Sequence, residues 1–585
     1  MRASPPSPAA ATRPARAAAA SLLLFALTFA IYAANFRLRG TGDSLPTRVL
    51  PFSLLREGDL DLDEFSWDRT RRNRLPYYLH VRDGHIYSVS PIATSIVVTP
   101  FYIPAAWWMA ARGISYDDVR ARVVIVVMER LAAAALTALS ASLLFGVLRR
   151  LTQWHWAVLL TLIYALGTST WALSSQALWP HALAELMLVL LSRFLIEPRP
   201  STGVLALAGL SAALAVANRP QMIIFAGLAG VYAWVRWRWR ALAFAIPPLL
   251  LGGALAGYNR AIFQTVAGGY GGFDHFGGPL FEGMAGLFIS PNRGLLVFTP
   301  IMAFALWGAV RVWWVPAPAW LRWLSVGVAM HVIVHAKFDE WWAGYTYGPR
   351  YMTDVLPALT IFLVYGLVPL CRRPAMRAFA AVLALYGVAV QAIGAYAADE
   401  SWNREPVPLE RAPSRVWDWS DLQIVRSARN GFRGLELAHV MVDAFRDPLP
   451  ARVAPLQPED LAAAIQASGV PSAMAVGSRV PISVSIENRA AIPWPAFNGE
   501  SMIGSRRLVF LMVRWLGRGE PVAGVGDVIL LPENVAPGER IDMLVTLEAP
   551  RHSGDYELEL RVTQAVDGTR GVIGPGSRRF PLRVR

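Results

Sequence analysis

The residues best suited to catalysis begin directly after the first apolar segment of the chain. Segment 36–92 is polar and rich in Arg and Asp, and its first acidic residue is Asp43, about seven residues beyond the apolar segment. A carboxylate held near hydrocarbon is partly desolvated, which raises the pKa of the group and makes it a stronger base. We therefore predict an active-site loop with Asp43 as catalytic base. The alternative is an Asp that caps a helix or turn in G-D-S.

A second acidic run follows in the same segment and comprises Glu57, Asp59, Asp61, Asp63 and Glu64. Its D-L-D-L-D alternation predicts an exposed strand or turn with the acids facing water. Carboxylate oxygens could instead bind a divalent cation or a substrate, and Asp59 and Asp61 are the candidates for substrate binding. The spacing does not match an EF-hand loop.

Two further groups of ionisable residues lie at the ends of later apolar segments. His181 and Glu185 are four residues apart, so they can face one cavity and bind substrate, or form a structural pair. Arg219 and Arg293 are predicted at the outer face, where the positive-inside rule makes arginine less expected. A guanidinium fork binds phosphate oxygens well, so both are candidates for a donor phosphate site. The alternative is a pair of snorkelling anchors.

The densest cluster lies in segment 331–357. Aromatic rings stack on sugar rings and cations neutralise a phosphate, so Trp341, Trp342 and Tyr347 are predicted to bind substrate. Lys337 and Arg350 are predicted to bind phosphate. The tryptophans could otherwise form an interfacial belt. His331 and His335 in the same segment could bind a divalent cation, but the sequence shows no third ligand. No cofactor is otherwise indicated.

The composition predicts an integral membrane protein. Of 585 residues, 55% are hydrophobic and 16% are charged, whereas soluble domains carry about 25% charged residues. The net charge of +14 suits anionic lipids or a lipid phosphate as partners rather than nucleic acid. The single cysteine, Cys371, excludes an intramolecular disulfide. The sequence shows no dinucleotide-binding fingerprint and no P-loop, so it does not indicate a nucleotide-binding site.

Hydropathy and loop charge predict about eleven spans, with the N-terminus inside and the C-terminus outside. Residues 1–16 are expected to be disordered and cytoplasmic, and residues 17–398 to form the membrane domain. Its first periplasmic loop is 37–121, in which the proline-rich stretch 92–111 is interpreted as juxtamembrane or re-entrant. The predicted spans are 17–36, 122–148, 155–173, 180–197, 203–219, 221–235, 241–259, 295–312, 320–337, 352–370 and 378–398.

The composition changes after the last predicted span. Residues 399–454 are interpreted as a periplasmic connector. Residues 455–585 show short alternating runs, such as R-V-P-I-S-V-S-I-E-N, that predict a small antiparallel sandwich. Two phrases, L-P-E-N-V-A-P-G-E and A-P-R-H-S-G-D-Y-E-L, resemble immunoglobulin-like modules of bacterial carbohydrate-active proteins. The predicted location is the bacterial cytoplasmic (inner) membrane, with this domain outside.

Four stretches together resemble the GT-C superfamily of polytopic membrane glycosyltransferases. The chain is similar to its protein O-mannosyltransferase and lipid A aminoarabinose transferase families, in a bacterial branch with a long first loop and a C-terminal sandwich. The order and sidedness of the stretches over roughly residues 15–400 carry the resemblance. They are G-D-S-L-P-T-R at 42–48, S-V-S-P-I-A-T-S-I-V-V-T-P-F-Y at 88–102, W-P-H at 179–181 and W-W-A-G-Y-T-Y-G-P-R-Y at 341–351.

The resemblance implies a polyprenyl-phosphate-linked sugar as donor and a glycan, lipid or protein hydroxyl as acceptor. Asp43 would deprotonate that hydroxyl, which attacks the anomeric carbon with inversion. Arg293, Lys337 and Arg350 would stabilise the departing lipid phosphate. The chain departs from the family pattern because Asp43 stands alone, and the next acidic residue is Glu57. The second acidic partner and any metal requirement therefore stay open.

Two other function classes compete with a glycosyltransferase. A lipid or glycan transporter or flippase predicts internal repeats and helices broken near mid-membrane. The sequence shows no clear repeat, and its polar clusters lie at the ends of spans. A non-catalytic scaffold would bind glycans through the sandwich and would not depend on Asp43.

Overall fold

The computed structural model describes most of the chain. Residue contacts divide the chain into two compact units. The first unit comprises Met1–Leu62, His80–Ala111 and Val124–Val440. The second unit comprises Asp63–Leu79, Arg112–Val123 and Met441–Arg585. The described residues are 8–35, 37, 42–65, 76–116, 119–269, 276–398, 401–431, 456–494, 509–531, 535–550, 552–564 and 572–585.

The first unit is mainly helical. Prolines in the first turn begin several helices, as Pro180 does in α6, because the first-turn N–H groups have no partner within the helix. The α-helices of the described residues are α1 Pro8–Ala33, α2 Leu45–Arg56, α3 Ala93–Ala111, α4 Val119–Leu151, α5 Trp154–Gly167, α6 Pro180–Leu195, α7 Thr202–Asn218, α8 Ile223–Trp237, α9 Leu242–Phe263, α10 Leu280–Ile289, α11 Leu295–Phe298, α12 Met302–Arg311, α13 Trp320–Ala336, α14 Leu356–Gly366, α15 Pro374–Tyr396, α16 Ser401–Arg404 and α17 Gln423–Arg429.

Four helical stretches within the described residues are long and apolar enough to cross a membrane, namely Arg16–Ala33, Arg120–Leu151, Pro220–Phe263 and Pro374–Tyr396. Shorter apolar helices accompany them, among them α5, α7, α10, α12 and α13. The composition and these helices together indicate a membrane protein. The number of spans and their sidedness stay predictions.

The polar segment after α1 contains more regular structure than its composition suggested. A 3₁₀ turn, Gly42–Ser44, leads into α2, whose residues from Leu45 to Ser53 are buried. A two-stranded hairpin follows, with β1 Leu79–Arg82 and β2 His85–Ser88. The segment predicted as a long loop therefore contains a packed helix near its beginning. At the start of the chain, α1 begins at Pro8, inside the stretch 1–16, and residues 1–7 lie outside the described residues.

The predicted connector also contains helices. Helices α16 and α17 flank two 3₁₀ turns, Leu409–Arg411 and Pro413–Trp417. Residues 432–455 of the connector lie outside the described residues.

The second unit contains two β-sheets. Strands β4, β10, β9, β6 and β7 form one sheet in that order, and β3, β5 and β8 form the other. Alternate side chains of both sheets, such as Val484 and Leu560, belong to one hydrophobic core. The strands are β3 Ala463–Ser468, β4 Ala473–Met474, β5 Arg479–Asn488, β6 Val509–Gly517, β7 Glu520–Leu530, β8 Arg540–Glu548, β9 Gly554–Gln564 and β10 Val572–Val584. The β5 segment is the predicted R-V-P-I-S-V-S-I-E-N run, whereas the immunoglobulin-like relationship stays a prediction.

Candidate active site

The site is built around an ion pair between Asp43 and Arg350. Arg350 Nη2 donates to Asp43 Oδ2 at 2.6 Å, and the two residues are 307 positions apart in the chain. The Asp43 side chain keeps 24% of its surface exposed and that of Arg350 keeps 11%. The fold thus brings together the predicted base and one predicted phosphate ligand, and leaves the carboxylate accessible.

A line of polar side chains continues from Arg350 into the interior. Arg350 Nε donates to His181 Nε2 at 3.2 Å, so in the neutral ring His181 Nδ1 carries the proton and donates to Asp354 Oδ1 at 2.7 Å. Arg219 Nη2 lies 2.9 Å from Asp354 Oδ2. His181, Asp354 and Arg219 are all buried. Two carboxylates thus alternate with two guanidinium groups, which compensates the charges inside an apolar chain.

Two serines of the S-V-S-P-I-A-T-S motif fix the backbone around Asp43. Ser90 Oγ donates to the Asp43 carbonyl at 3.0 Å, and Ser95 Oγ donates to the Thr47 carbonyl at 2.9 Å. The next residue, Arg48, forms a buried ion pair with Glu129 of α4 at 2.9 Å. The motif therefore holds the start of α2 against α3, and Arg48 holds it against α4.

The other half of the site is held at the ends of three helices. Asn218, the last residue of α7, donates from Nδ2 to the Pro180 carbonyl at 2.5 Å and accepts from Thr94 Oγ1 at 2.5 Å. These bonds join the end of α7 to the beginning of α6 and of α3. His181 in the first turn of α6 and Arg219 directly after α7 are thereby brought to Asp354.

Arg350 is oriented by an aromatic face and by a glycine turn. Its guanidinium carbon lies 4.1 Å from the centroid of the Trp179 ring, which is a cation–π contact. Arg350 also begins the 3₁₀ helix Arg350–Val355, which carries Asp354. Two residues earlier, Gly348 adopts φ +71°, and a Cβ at this position would lie 2.8 Å from Phe298 Cδ1. The G-P-R sequence therefore needs glycine both for its backbone angle and for space.

We expect Gly348→Ala to destabilise the protein by more than the about 1–2 kcal/mol of left-handed backbone alone, because Phe298 must also shift. Gly344→Ala is the matched control, since Gly344 has φ +64° and open space around its Cα. Thermal unfolding of both purified variants measures the difference. Equal melting temperatures for the two variants would contradict the role assigned to Phe298.

Glu185 belongs to a different cluster from its predicted partner His181. Its carboxylate accepts hydrogen bonds from Tyr164 at 2.9 Å, Thr170 at 3.1 Å and Ser174 at 3.1 Å. Thr170 and Ser174 lie on a π-helical turn, Thr170–Ser174, that presents both hydroxyls to one side. Glu185 joins α5, the π-helical turn and α6 through these bonds, and its predicted substrate role beside His181 stays a prediction.

Arg293 forms a structural clamp between protein oxygens, and its predicted phosphate contact stays a prediction. It is 1% exposed and uses all five N–H donors on protein oxygens. Burial, followed by the nearby Arg415, lowers the pKa of its guanidinium to about 9. The acceptors are the carbonyls of Trp342, Asn292 and Gly344 and the side chains of Gln423 and Asn403, at 2.6–3.3 Å. Arg293 thus ties α16 and α17 to the segments around Asn292 and Trp342 within the helical unit.

The predicted aromatic substrate platform is largely part of the interior. Trp341 is buried against Trp402 and Trp417 in a small cluster, with Trp342 half-buried beside it. The Tyr347 hydroxyl donates to the Val390 carbonyl at 2.9 Å. Trp341 and Tyr347 are both buried, and their predicted sugar contact stays a prediction.

The remaining predicted residues lie apart from the ion pair. Lys337 directly follows α13, and its Nζ donates to the Gly278 carbonyl at 2.8 Å. Asp59 is exposed, and Asp61 forms a β-bridge with Tyr87 and lies 3.5 Å from His85 Nδ1. Arg219 is 2% exposed and faces Asp354, and its predicted contact with a donor phosphate stays a prediction.

Sequence reasoning did not assign a role to several residues that build the site. Asp354 was part of the 331–357 cluster, but its partners come from 135 to 173 positions earlier in the chain. Glu129 and Arg130 were missed, although two adjacent charges inside the apolar stretch 122–148 are a visible signal. Arg130 donates to the carbonyl and side chain of Gln176 and to Asn35, while Glu129 pairs with Arg48.

Comparison with known proteins gives distant structural similarities. No family model and no curated protein matches the chain. The solved structure of ArnT from Cupriavidus metallidurans bound to undecaprenyl phosphate is similar over 74% of this chain and 77% of that chain, with 13% identity and a TM-score of 0.40. The CARDB domain of PF1109 from Pyrococcus furiosus covers 21% of this chain and 94% of its own length, with 16% identity and a TM-score of 0.13. At these values neither similarity assigns a function.

Proposed function

We propose that the protein transfers a sugar from a polyprenyl-phosphate donor to an acceptor hydroxyl at the outer face of the cytoplasmic membrane. The donor class and the inverting stereochemistry are those implied by the GT-C resemblance of the four motifs. Asp43 is the base that takes the proton of the acceptor hydroxyl. The attacking oxygen forms a bond to the anomeric carbon as the bond to the lipid phosphate breaks, and the phosphate leaves with the bonding electrons.

One observation carries this proposal, the 2.6 Å ion pair between Asp43 and Arg350. A base and an anion-binding group lie side by side, and the base is partly open to the surroundings. General-base catalysis needs a carboxylate within hydrogen-bond reach of the hydroxyl, and phosphate departure needs a nearby cation. The ion pair supports the proposal because it supplies both kinds of side chain in contact.

The pair also suggests how the base is activated. An adjacent guanidinium favours the ionised carboxylate, which opposes the desolvation effect invoked from sequence. A donor phosphate that binds Arg350 would compete with Asp43 for Arg350 Nη2. Release from the ion pair would then make Asp43 a stronger base when donor is present. The hydrogen bond from Nε to His181 keeps Arg350 in place during this exchange.

The experiment is transfer from radiolabelled polyprenyl-phosphate sugars by the full-length protein in membranes, comparing wild type with Arg350→Lys. Lysine keeps the charge but loses the fork that contacts Asp43 and His181 together. We expect kcat/KM for the donor to fall about 10–100-fold, since one charge-assisted hydrogen bond contributes about 1.5–3 kcal/mol.

Arg429→Lys is the control, because Arg429 is exposed on α17. Unchanged transfer in Arg350→Lys would contradict the role of Arg350. Wild-type protein that transfers no sugar from any polyprenyl-phosphate donor would overturn the proposed reaction.

A further inference from the structure

A second group of ionisable side chains consists of Asp354 and two histidines of α13. His331, His335 and Asp354 are buried, and one possible ligand atom from each lies within 4.8 Å of the other two. His331 and His335 are one turn apart on α13, with ring centroids 4.0 Å apart. Asp354 supplies the third ligand type that the sequence did not show.

Hydrogen bonds fix which nitrogen of each ring carries the proton. His331 Nε2 donates to the Tyr351 carbonyl at 2.9 Å, and His335 Nδ1 donates to the His331 carbonyl at 2.8 Å. A neutral imidazole has one N–H, so His331 Nδ1 and His335 Nε2 are left with lone pairs. A main-chain carbonyl that accepts from the far ring nitrogen is the usual support for a metal-binding histidine.

The two lone-pair nitrogens have no hydrogen-bond partner among the described residues, and neither has Asp354 Oδ2. Arg219 Nη2 is 2.9 Å from that oxygen, but without the alignment of a hydrogen bond. The rings of Phe225, Phe338 and Tyr351 surround the histidines. Two buried imidazole acceptors without a hydrogen-bond partner are costly unless a cation or donor binds them, and the Asp354 oxygen beside them has only the ion pair with Arg219.

We propose that His331, His335 and Asp354 bind one divalent transition-metal ion, with Zn²⁺ as the ion to test first. Two imidazoles and one carboxylate form a common zinc ligand set. The carboxylate would bind the metal through Oδ2 while Oδ1 accepts from His181, so the ion would share Asp354 with the Arg350 network. Arg219 approaches the same oxygen, so the ion and Arg219 would compete for it. The proposal is independent of the sugar transfer.

Metal content of the purified full-length protein tests the proposal. The protein is purified in detergent without chelator and with a tag that contains no histidine, and metals are measured by mass spectrometry. We expect about one equivalent per chain in wild type, and binding at least about 100-fold weaker in His335→Gln, which removes one ligand. His155→Gln is the control, because His155 is exposed on α5, and it should keep the metal.

Wild type gives a second reading that does not depend on a variant. Stripping the metal with a chelator should lower the melting temperature, and added Zn²⁺ should restore it. Co²⁺ in place of Zn²⁺ should give the visible absorption of a low-symmetry site, and His335→Gln should remove it. Wild type that holds no metal after incubation with Zn²⁺ and gel filtration overturns the proposal, and so does His335→Gln that binds as tightly as wild type.

Discussion

Asp43→Asn is expected to lower sugar transfer by about 10²–10⁴-fold at equal protein level in the membrane. Asparagine has nearly the same shape as aspartate but cannot accept the proton of the acceptor hydroxyl, and it no longer forms the ion pair with Arg350. The loss should lie mainly in kcat, because the base acts in the transition state. The measurement is transfer from radiolabelled polyprenyl-phosphate sugar over a range of donor concentrations.

Asp59→Asn provides the matched control, since Asp59 belongs to the same polar segment but is exposed and outside the ion pair. Its transfer rate should stay within about twofold of wild type, as for most surface substitutions. A severe loss in Asp59→Asn with normal transfer in Asp43→Asn would move the base to the second acidic run. Normal transfer in both variants would contradict the role of Asp43 as the base.

Arg293→Lys is expected to destabilise the protein by about 2–5 kcal/mol. Lysine has three N–H donors and a different shape, so at least two of the five buried acceptors lose their partner, and each costs about 1–3 kcal/mol. The contact of the guanidinium with the Trp402 ring, 5.0 Å from its centroid, is lost as well. Thermal unfolding in detergent should show a melting temperature lower by more than about 5 °C.

The same variant separates the clamp from the predicted phosphate role. A clamp predicts that Arg293→Lys protein that remains folded at low temperature transfers sugar with a nearly normal KM for the donor. A phosphate ligand predicts a raised KM and an unchanged melting temperature. Arg429→Lys, an exposed arginine on α17, controls for the loss of a guanidinium as such.

The coarse architecture was accessible from the sequence because it depends on local patterns. Low charge and long apolar runs predicted a membrane protein, and alternation in the last 130 or so residues predicted strands. Both are confirmed at that level, and β5 coincides with the predicted run. The number of spans stays a prediction. Several apolar helices have fewer residues than a bilayer crossing requires, so helix length alone does not give the count.

The site was only partly accessible, for a physical reason. Residue type suggested Asp43, Arg350 and His181, and the structure brings these three together. Type alone could not distinguish Arg350 from Arg293, since the difference lies in their acceptors. Arg293 meets main-chain carbonyls and amides, whose positions depend on the tertiary fold. Arg350 meets a carboxylate that is partly exposed.

The separation of Asp43 and Arg350 along the chain has a consequence for biogenesis. Asp43 leaves the ribosome early, whereas its partner follows 307 residues later. The helices α4 to α13 are therefore synthesised before the pair can close. The ion pair at the centre of the proposed site therefore forms only after most of the helical unit has been synthesised, so a shorter nascent chain lacks it.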